Sequence, residues 1–405
     1  MSIASSTPPT AGDAERPSLD ELMSRAAALR PVIAERAART EADRRVSGDV
    51  IALLDEQGLL SMVKPARFGG YEYGPTAMVR LGYELGQACG STAWCAALAN
   101  CNALFTSYWS LSAQQDVWGR APRNLVAAPL APTGKCERVE GGFRVWGSWP
   151  FASNCENSQW TVLSAPVPPG QEEPGGPAWF LTPMSTVSVD QDTWHMAGLQ
   201  GTGSKTLRVD EPIFIPDHRM VRMSDVVAVT TPGTLVEDNP LARFGWSTFG
   251  ATALVAPLLG MARGALDWYV DNMRSKIRPG AAASAAEHPF VQERAGRAEA
   301  MIDAALTLVL RDLAEAETVI FAGGTLEQEQ RIRLRRDCGF AARQAVEAVN
   351  SLYEASGASA ADLSRPIQRF WRDVNAGANH VSLDERAIMA TAGQHLFGLK
   401  PTGQF

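Results

Sequence analysis

The chain has 405 residues, 45% of them hydrophobic and 20% charged, and carries a formal net charge of -7. That balance belongs to an ordinary globular protein of two or three packed units and excludes a disordered chain or a coiled coil. An acidic chain with no Lys/Arg run longer than a pair also argues against nucleic acid or an anionic membrane as partner.

Residues 1–17 are rich in Ser, Thr, Pro and Ala, carry two acids and one base, and lack the apolar core of a signal peptide. They read as a disordered tail. Ser18-Leu19-Asp20-Glu21 forms a capping box that opens a helix, with Leu19, Leu22, Ala26 and Leu29 at helical spacing. Pro31 is expected to kink or restart it. A second helix is expected over 47–57, with Gly58 at its C-terminal end. Helices over 76–89 and 91–109 follow the Gly69-Gly70 turn, the latter capped by Ser91-Thr92. This helical unit spans 18–122.

From about 124 the pattern changes to short β-branched and aromatic runs between Pro and Gly clusters, which is a sheet region spanning 123–238. Its clearest strands are 143–151, 159–164, 178–181 and 206–215, followed by an irregular exit to Pro240. Over 239–405 helical periodicity returns in four segments of more than twenty residues each, near 241–275, 288–321, 325–356 and 363–395. Their breaks fall at Pro279-Gly280, Gly323-Gly324 and Gly357, which is turn chemistry. Short connections between long helices imply an antiparallel four-helix bundle. The fold class is therefore α+β: helices, a central β-domain, and a C-terminal four-helix bundle. No stretch reaches the roughly 20 uninterrupted apolar residues of a spanning helix, and a soluble cytoplasmic protein is expected.

Six cysteines form no CxxC pair and have no histidine at ligand spacing, so reduced structural thiols are expected and no metal site is. Gly198-Leu199-Gln200-Gly201-Thr202-Gly203-Ser204 is glycine-rich. It lacks the third glycine of a dinucleotide fingerprint and alternating helices around it. It reads either as a plain turn or as a loop whose amides approach a planar or anionic ligand. No GxxxxGK[ST], HExxH or GxSxG is present. Trp149-Pro150-Phe151-Ala152-Ser153-Asn154 reads either as an ordinary strand end or as a place where a flat ring meets the backbone and a small hydroxyl. Of five histidines, His195, His218 and His288 lie beside turns. His380 and His395 are expected on the last helix, on one face but more than about 20 Å apart, so only one can serve a given small site.

The order of these units, over about 18–395, resembles the acyl-CoA dehydrogenase superfamily. Phe151-Ala152-Ser153-Asn154 resembles its aromatic-x-Ser/Thr-Asn element against the flavin, which puts Ser153 at the flavin N5 edge. Arg274, after Leu266-Asp267-Trp268-Tyr269, resembles the arginine that reaches a flavin phosphate, often across a subunit boundary. Leu352-Tyr353-Glu354-Ala355-Ser356-Gly357 resembles its helix-end element, with Ala355-Ser356 in place of two glycines. The departure is at the catalytic base. Dehydrogenases of this pattern carry Glu-Gly-Thr about nine residues after an Arg-Asp pair, because a carboxylate must take the substrate's α-proton. Here Arg372-Asp373 leads to Val381 at that place.

That replacement and the run 371–380 resemble the superfamily's oxygenase branch, two-component flavin-dependent monooxygenases fed by a separate NAD(P)H-dependent flavin reductase. Gly90-Ser91-Thr92-Ala93-Trp94, the 149–160 segment and the 198–204 loop resemble that branch too. The resemblance implies reduced flavin (FMNH2 or FADH2) reacting with O2 through a C4a hydroperoxide to hydroxylate an aromatic or heteroaromatic ring. It implies that Phe151, Ser153, Asn154, Thr202, Ser204 and Arg274 bind the flavin. Catalysis then falls to His380 with Ser153, in a substrate pocket of Trp94, Asn102, Ala128 and His380. Asn102 and Ala128 replace a second histidine and a substrate-binding serine of the branch's phenol hydroxylases, which opens indole-like, polycyclic or nitrogen-containing substrates. N-hydroxylation of an amine, an acyl-CoA dehydrogenase with a displaced base at Glu354 or Glu347, and a scaffold that has lost its cofactor remain alternatives. The resemblance further implies a homotetramer.

Overall fold

The computed structural model describes residues 16–169, 175–236, 239–276, 284–403 and 405. The tail up to residue 15 and the Pro279-Gly280 turn lie outside the described residues.

The N-terminal unit comprises α1 (Leu19–Ala42), α2 (Gly48–Glu56), α3 (Pro75–Gly86), α4 (Gly90–Thr106) and α5 (Leu111–Trp118). Ser18 Oγ accepts from the Glu21 amide, while the Glu21 carboxylate turns to Arg25 instead of closing the box. Helix α1 runs on through Pro31 without restarting. Pro31 faces solvent, where the carbonyl its ring leaves unpaired can bind water. The Ser91-Thr92 cap does not form. The N-cap is Cys89, whose carbonyl accepts from Ala93, and Ser91 and Thr92 are buried in the first turn. The helix expected to reach Trp109 stops at Thr106, and Ser110 Oγ caps the separate α5. Buried almost along its full length, α4 is the spine of this unit.

The middle unit is two four-stranded sheets. One has the order β1 (Val126–Ala127), β4 (Trp160–Val167), β5 (Gly176–Pro183), β8 (Met220–Arg222); the other has β2 (Lys135–Val139), β3 (Gly142–Ala152), β7 (Lys205–Pro216), β6 (Ser188–Asp190). Among the described residues only β1 and β4 pair in parallel. Phe143, Val145, Trp149, Leu163, Phe180 and Leu207 fill the space between the sheets, and Trp149 Nε1 donates across it to the Ser164 carbonyl at 2.7 Å. The exit expected to be irregular holds β8 and a short helix, α6 (Met223–Ala228).

The C-terminal unit is built on α7 (Trp246–Ser275), α8 (Pro289–Phe321) and α9 (Gln328–Ala355). The fourth expected long helix is two short ones, α10 (Pro366–Ala378) and α11 (Glu385–Leu396), separated by a 3-10 turn at Val381–Leu383. His380 therefore caps that turn instead of lying on the last helix, and only His395 is helical. The physical reason is that Asp384 caps a fresh helix, its carboxylate accepting from the Arg386 and Ala387 amides. By length and composition Phe249–Ser275 of α7 could cross a membrane, but 94% of its apolar window is buried inside the protein, where it packs on α3, α4, α9 and α10.

Candidate functional site

Strand β3 ends in a bulge. Trp149 pairs with Leu207 and Ala152 with Lys205, so three steps on one strand face two on the other, and Phe151 absorbs the difference at φ 65°. A bulge re-aims a side chain. Trp149 and Ala152 point inward with 0% exposure, whereas Phe151 is turned out with 61% exposed, its ring edge-on to Trp194 at 6.0 Å. Asn154 at φ 58° then starts a tight turn. Its amide donates to the Thr202 carbonyl at 2.9 Å and its Oδ1 accepts from Asn157 Nδ2 at 2.8 Å. Asn154 thus fastens the turn to the 198–204 loop.

That loop is packed, not open. A Cβ on Gly198 would lie 2.2 Å from the Arg372 carbonyl, and one on Gly201 would lie 2.5 Å from Thr40, so these glycines admit α10 and α1. The amides of Leu199, Thr202 and Gly203 donate to Asp373 Oδ1, the Leu199 carbonyl and the Gln200 carbonyl. Those three amides are used within the protein, and a ligand at this loop would also meet its hydroxyls. Ser153 Oγ lies 2.7 Å from Ser204 Oγ, Ser204 Oγ lies 2.7 Å from Thr202 Oγ1, and Thr202 Oγ1 donates to the Leu199 carbonyl at 2.8 Å. Thr202 and Ser204 are buried; Ser153, at the end of the chain, is partly exposed.

Asp373 holds the other end of Leu199, accepting its amide at 2.6 Å. Burial pushes the Asp373 carboxyl up to about 7 against the opposing effect of that amide. Arg372 donates to the Ala197 carbonyl and, with Arg369, pairs with Glu41 of α1. One helix, α10, therefore clamps the loop and carries His380 at its far end.

At that end Gly377 packs so closely under Leu199 and Trp94 that an added Cβ would lie 3.2 Å from each. The Trp94 ring is 6.2 Å from that of His380. The Ser382 amide donates to His380 Nδ1 at 3.1 Å, which assigns the lone pair to Nδ1 and the proton of the neutral ring to Nε2. Burial, and secondarily the Arg335 guanidinium, push the His380 pKa down to about 4. Part of the residue faces solvent, which moderates the shift without reversing it, since the Ser382 amide independently favours the neutral ring. Arg335, itself buried, donates to the Ser382 carbonyl at 2.8 Å. The geometry makes His380 a hydrogen-bond donor through Nε2 and not a base.

Ser153, Ser204, Thr202 and Leu199 thus lead to Gly377, which packs on both Leu199 and Trp94, and Trp94 leads to His380. Asn102 lies two turns along α4 from Trp94, with Nδ2 donating to the Val126 carbonyl at 2.8 Å, which ties it to the strand that leads into the half-buried Ala128. Arg274 stands apart at the exposed end of α7, paired with Asp271 at 3.3 Å. Val381 is 81% exposed. Of the two candidate displaced bases, Glu347 is paired with Arg343 at 2.9 Å and Glu354 is exposed. Asp373 and Arg335 are the positioning groups that sequence reasoning did not single out; the Arg372-Asp373 pair was a signal for the first, and nothing marked the second.

The site suits a reduced flavin. The outward Phe151 ring and the partly open Ser153 oxygen offer an apolar surface beside a polar atom, as a ring with one hydrogen-bonding edge requires. Comparison with known proteins agrees. Residues 22–118 match the model of the acyl-CoA dehydrogenase N-terminal domain and 252–385 that of the acyl-CoA dehydrogenase C-terminal domain. The chain is 36% identical, over 95% of its length and 96% of the relative's, to the oxygenase component of an FADH2-dependent resorcinol hydroxylase of Rhizobium sp.. The crystal structure of 3-HSA hydroxylase from Rhodococcus sp. RHA1 superposes with a TM-score of 0.90 at 34% identity, covering 96% of this chain and all of that one. XiaF from Streptomyces sp., in complex with FADH2 and glycerol, gives 0.86 at 26% identity over 96% and 98%.

Proposed function

Because the chain belongs to the acyl-CoA dehydrogenase family, as the oxygenase component of a flavin-dependent monooxygenase acting on aromatic compounds, we propose that it hydroxylates a phenolic ring held against Trp94 and His380. The observation that carries this is the state of His380. With Nδ1 occupied by the Ser382 amide, the ring presents only Nε2–H, which pairs with an acceptor. A phenol or phenolate oxygen is an acceptor; the N–H of an indole is not. The indole-like substrates that Asn102 and Ala128 had opened would need an acceptor other than the indole N–H to engage this donor.

Bound reduced flavin supplies electrons and activates O2 for transfer to the ring. The protein's residues orient and enclose. Phe151 and Ser153 hold one edge of the cofactor, Ser153 through its hydroxyl. Trp94 gives a flat wall against which an aromatic ring packs. His380 donates to the substrate oxygen, which fixes the orientation of the ring and stabilises its phenolate form, more electron-rich than the neutral phenol. Exclusion of water matters here, because it prevents unproductive release of hydrogen peroxide. Arg274 is assigned to a flavin phosphate of a neighbouring subunit in a homotetramer. Its exposure at the end of α7, and the exposed Leu396, Phe397 and Leu399 at the C-terminus, support an assembly between copies. The name oxygenase component borne by the Rhizobium relative supports a separate NAD(P)H-dependent reductase as partner. Six free, buried cysteines support a reducing, cytoplasmic setting.

The test is turnover of a panel of phenols and indoles with NADH, flavin and an unrelated flavin reductase. Reductase-dependent formation of a hydroxylated phenol is expected. Bleaching of bound oxidised flavin by an acyl-CoA thioester, with no oxygenation, would overturn the proposal.

A further inference from the structure

Hydroxyl chains have a direction. A hydroxyl carries one proton and a carbonyl oxygen none. Thr202 Oγ1 lies 2.8 Å from the Leu199 carbonyl oxygen, a distance at which two oxygens repel unless a proton lies between them. That proton must be the Thr202 hydroxyl's. Ser204 Oγ is 2.7 Å from Thr202 Oγ1, and with the Thr202 proton committed, the proton on that contact is Ser204's. Ser153 Oγ is 2.7 Å from Ser204 Oγ, and by the same step the proton between them is Ser153's. All three protons point inward, towards the Leu199 carbonyl. Leu199 is fixed in turn, at φ 52° and with its amide on Asp373, so the acceptor at the base of the chain cannot turn away.

We propose that Thr202 and Ser204 act as positioning residues which orient the Ser153 hydroxyl as an acceptor only, so that the site selects reduced over oxidised flavin. Reduced flavin has an N–H at N5, a donor that an acceptor oxygen matches. Oxidised flavin has a lone pair there, which faces the Ser153 lone pairs and is repelled. Selection by redox state lets the oxygenase take up what a reductase releases without being blocked by the more abundant oxidised form. The inference rests on the reading that Ser153 lies at the N5 edge.

The experiment measures dissociation constants for oxidised flavin, and anaerobically for reduced flavin, in the full-length protein and in Ser204→Ala, Thr202→Ser, Thr202→Val and Ser153→Ala. Wild type is expected to prefer the reduced form. Ser204→Ala releases the Ser153 proton to point outward, and the preference is expected to fall about tenfold, seen also as a drop of about 30 mV in the two-electron potential of the bound flavin. Thr202→Ser keeps the hydroxyl and the preference; Thr202→Val frees the chain and lowers the preference in the same direction as Ser204→Ala. A purely structural role for Ser204 would weaken both forms equally and leave the ratio and the potential unmoved, which overturns the proposal. If Ser153→Ala shifts the ratio while Ser204→Ala does not, the N5 placement stands and the directed chain is wrong. If Ser153→Ala shifts nothing, or neither redox form binds, the underlying flavin reading fails and the proposal with it.

Discussion

The two sides of the site are held in different ways. On the side proposed for the cofactor, the 151–154 and 198–204 turns put three non-glycine residues, Phe151, Asn154 and Leu199, at positive φ, which requires surrounding contacts to sustain it. Those contacts come from α1, α4 and α10. On the side proposed for the substrate, His380 sits on a solvent-facing break between two short helices, and its ring nitrogen is held by a backbone amide. The difference teaches that the geometry toward the flavin is over-determined, whereas the substrate end hangs on few contacts and is the easier place for a related chain to change what it accepts.

The sharpest way to break this contrast is at His380. His380→Ala removes the proposed donor to the substrate oxygen and should lower kcat for hydroxylation by roughly 10²-fold with little effect on melting temperature. His380→Gln, which retains an N–H, should recover part of it. Steady-state kinetics with product quantitation checks this, and an equal loss in both variants would say that the ring, not its proton, matters.

On the cofactor side the expected cost appears in stability instead. Asp373→Ala leaves the buried Leu199 amide without an acceptor and should destabilise the protein by about 1–3 kcal/mol, whereas Asp373→Asn keeps an acceptor and should cost less. Denaturant melts of both variants measure it. The same residue gives a pH signature. Its folded pKa, about 7, lies above the ordinary value of 3.8, so its contribution to stability is full below about pH 4 and is lost as pH rises through about 7. Asp373→Asn should flatten that part of the stability profile.

A smaller effect is expected from Asn102→Ala, which removes the donor to the Val126 carbonyl and should cost on the order of 1 kcal/mol. The pH response of His380 gives a further check. With a folded pKa near 4 the ring stays neutral from about pH 5 upward, so kcat should show no inflection near 6.5. Stability should decline as pH falls from about 6.5 toward 4, because the unfolded chain binds a proton there that the folded one does not. An activity step at pH 6.5 that disappears in His380→Gln would show instead that His380 titrates in the working range.

How far the sequence could be read follows from what is local. The long helices announce themselves by apolar spacing, and Gly58 and Gly357 mark their ends. The break at His380 is hidden because apolar residues continue through Val381 and Leu383, and only the Asp384 cap tells against a continuous helix. Ser153 stands out in the sequence through its neighbours, but the bulge that turns Phe151 outward depends on pairing with Leu207 and Lys205, more than fifty residues away. The sequence leaves the 198–204 loop open between a plain turn and a ligand loop, and the steric need at Gly198 and Gly201 is remote, set by Arg372 and Thr40. The role of Asp373 rests on a contact 174 residues distant, which no local pattern records.

The measurement that bears most directly on the central claim is a single turnover of the reduced-flavin complex with a phenol under 18O2. Incorporation of one 18O atom into the aromatic product is expected, greatly reduced in His380→Ala. Product oxygen drawn from water, or quantitative release of hydrogen peroxide with the phenol unchanged across the panel, would contradict the account.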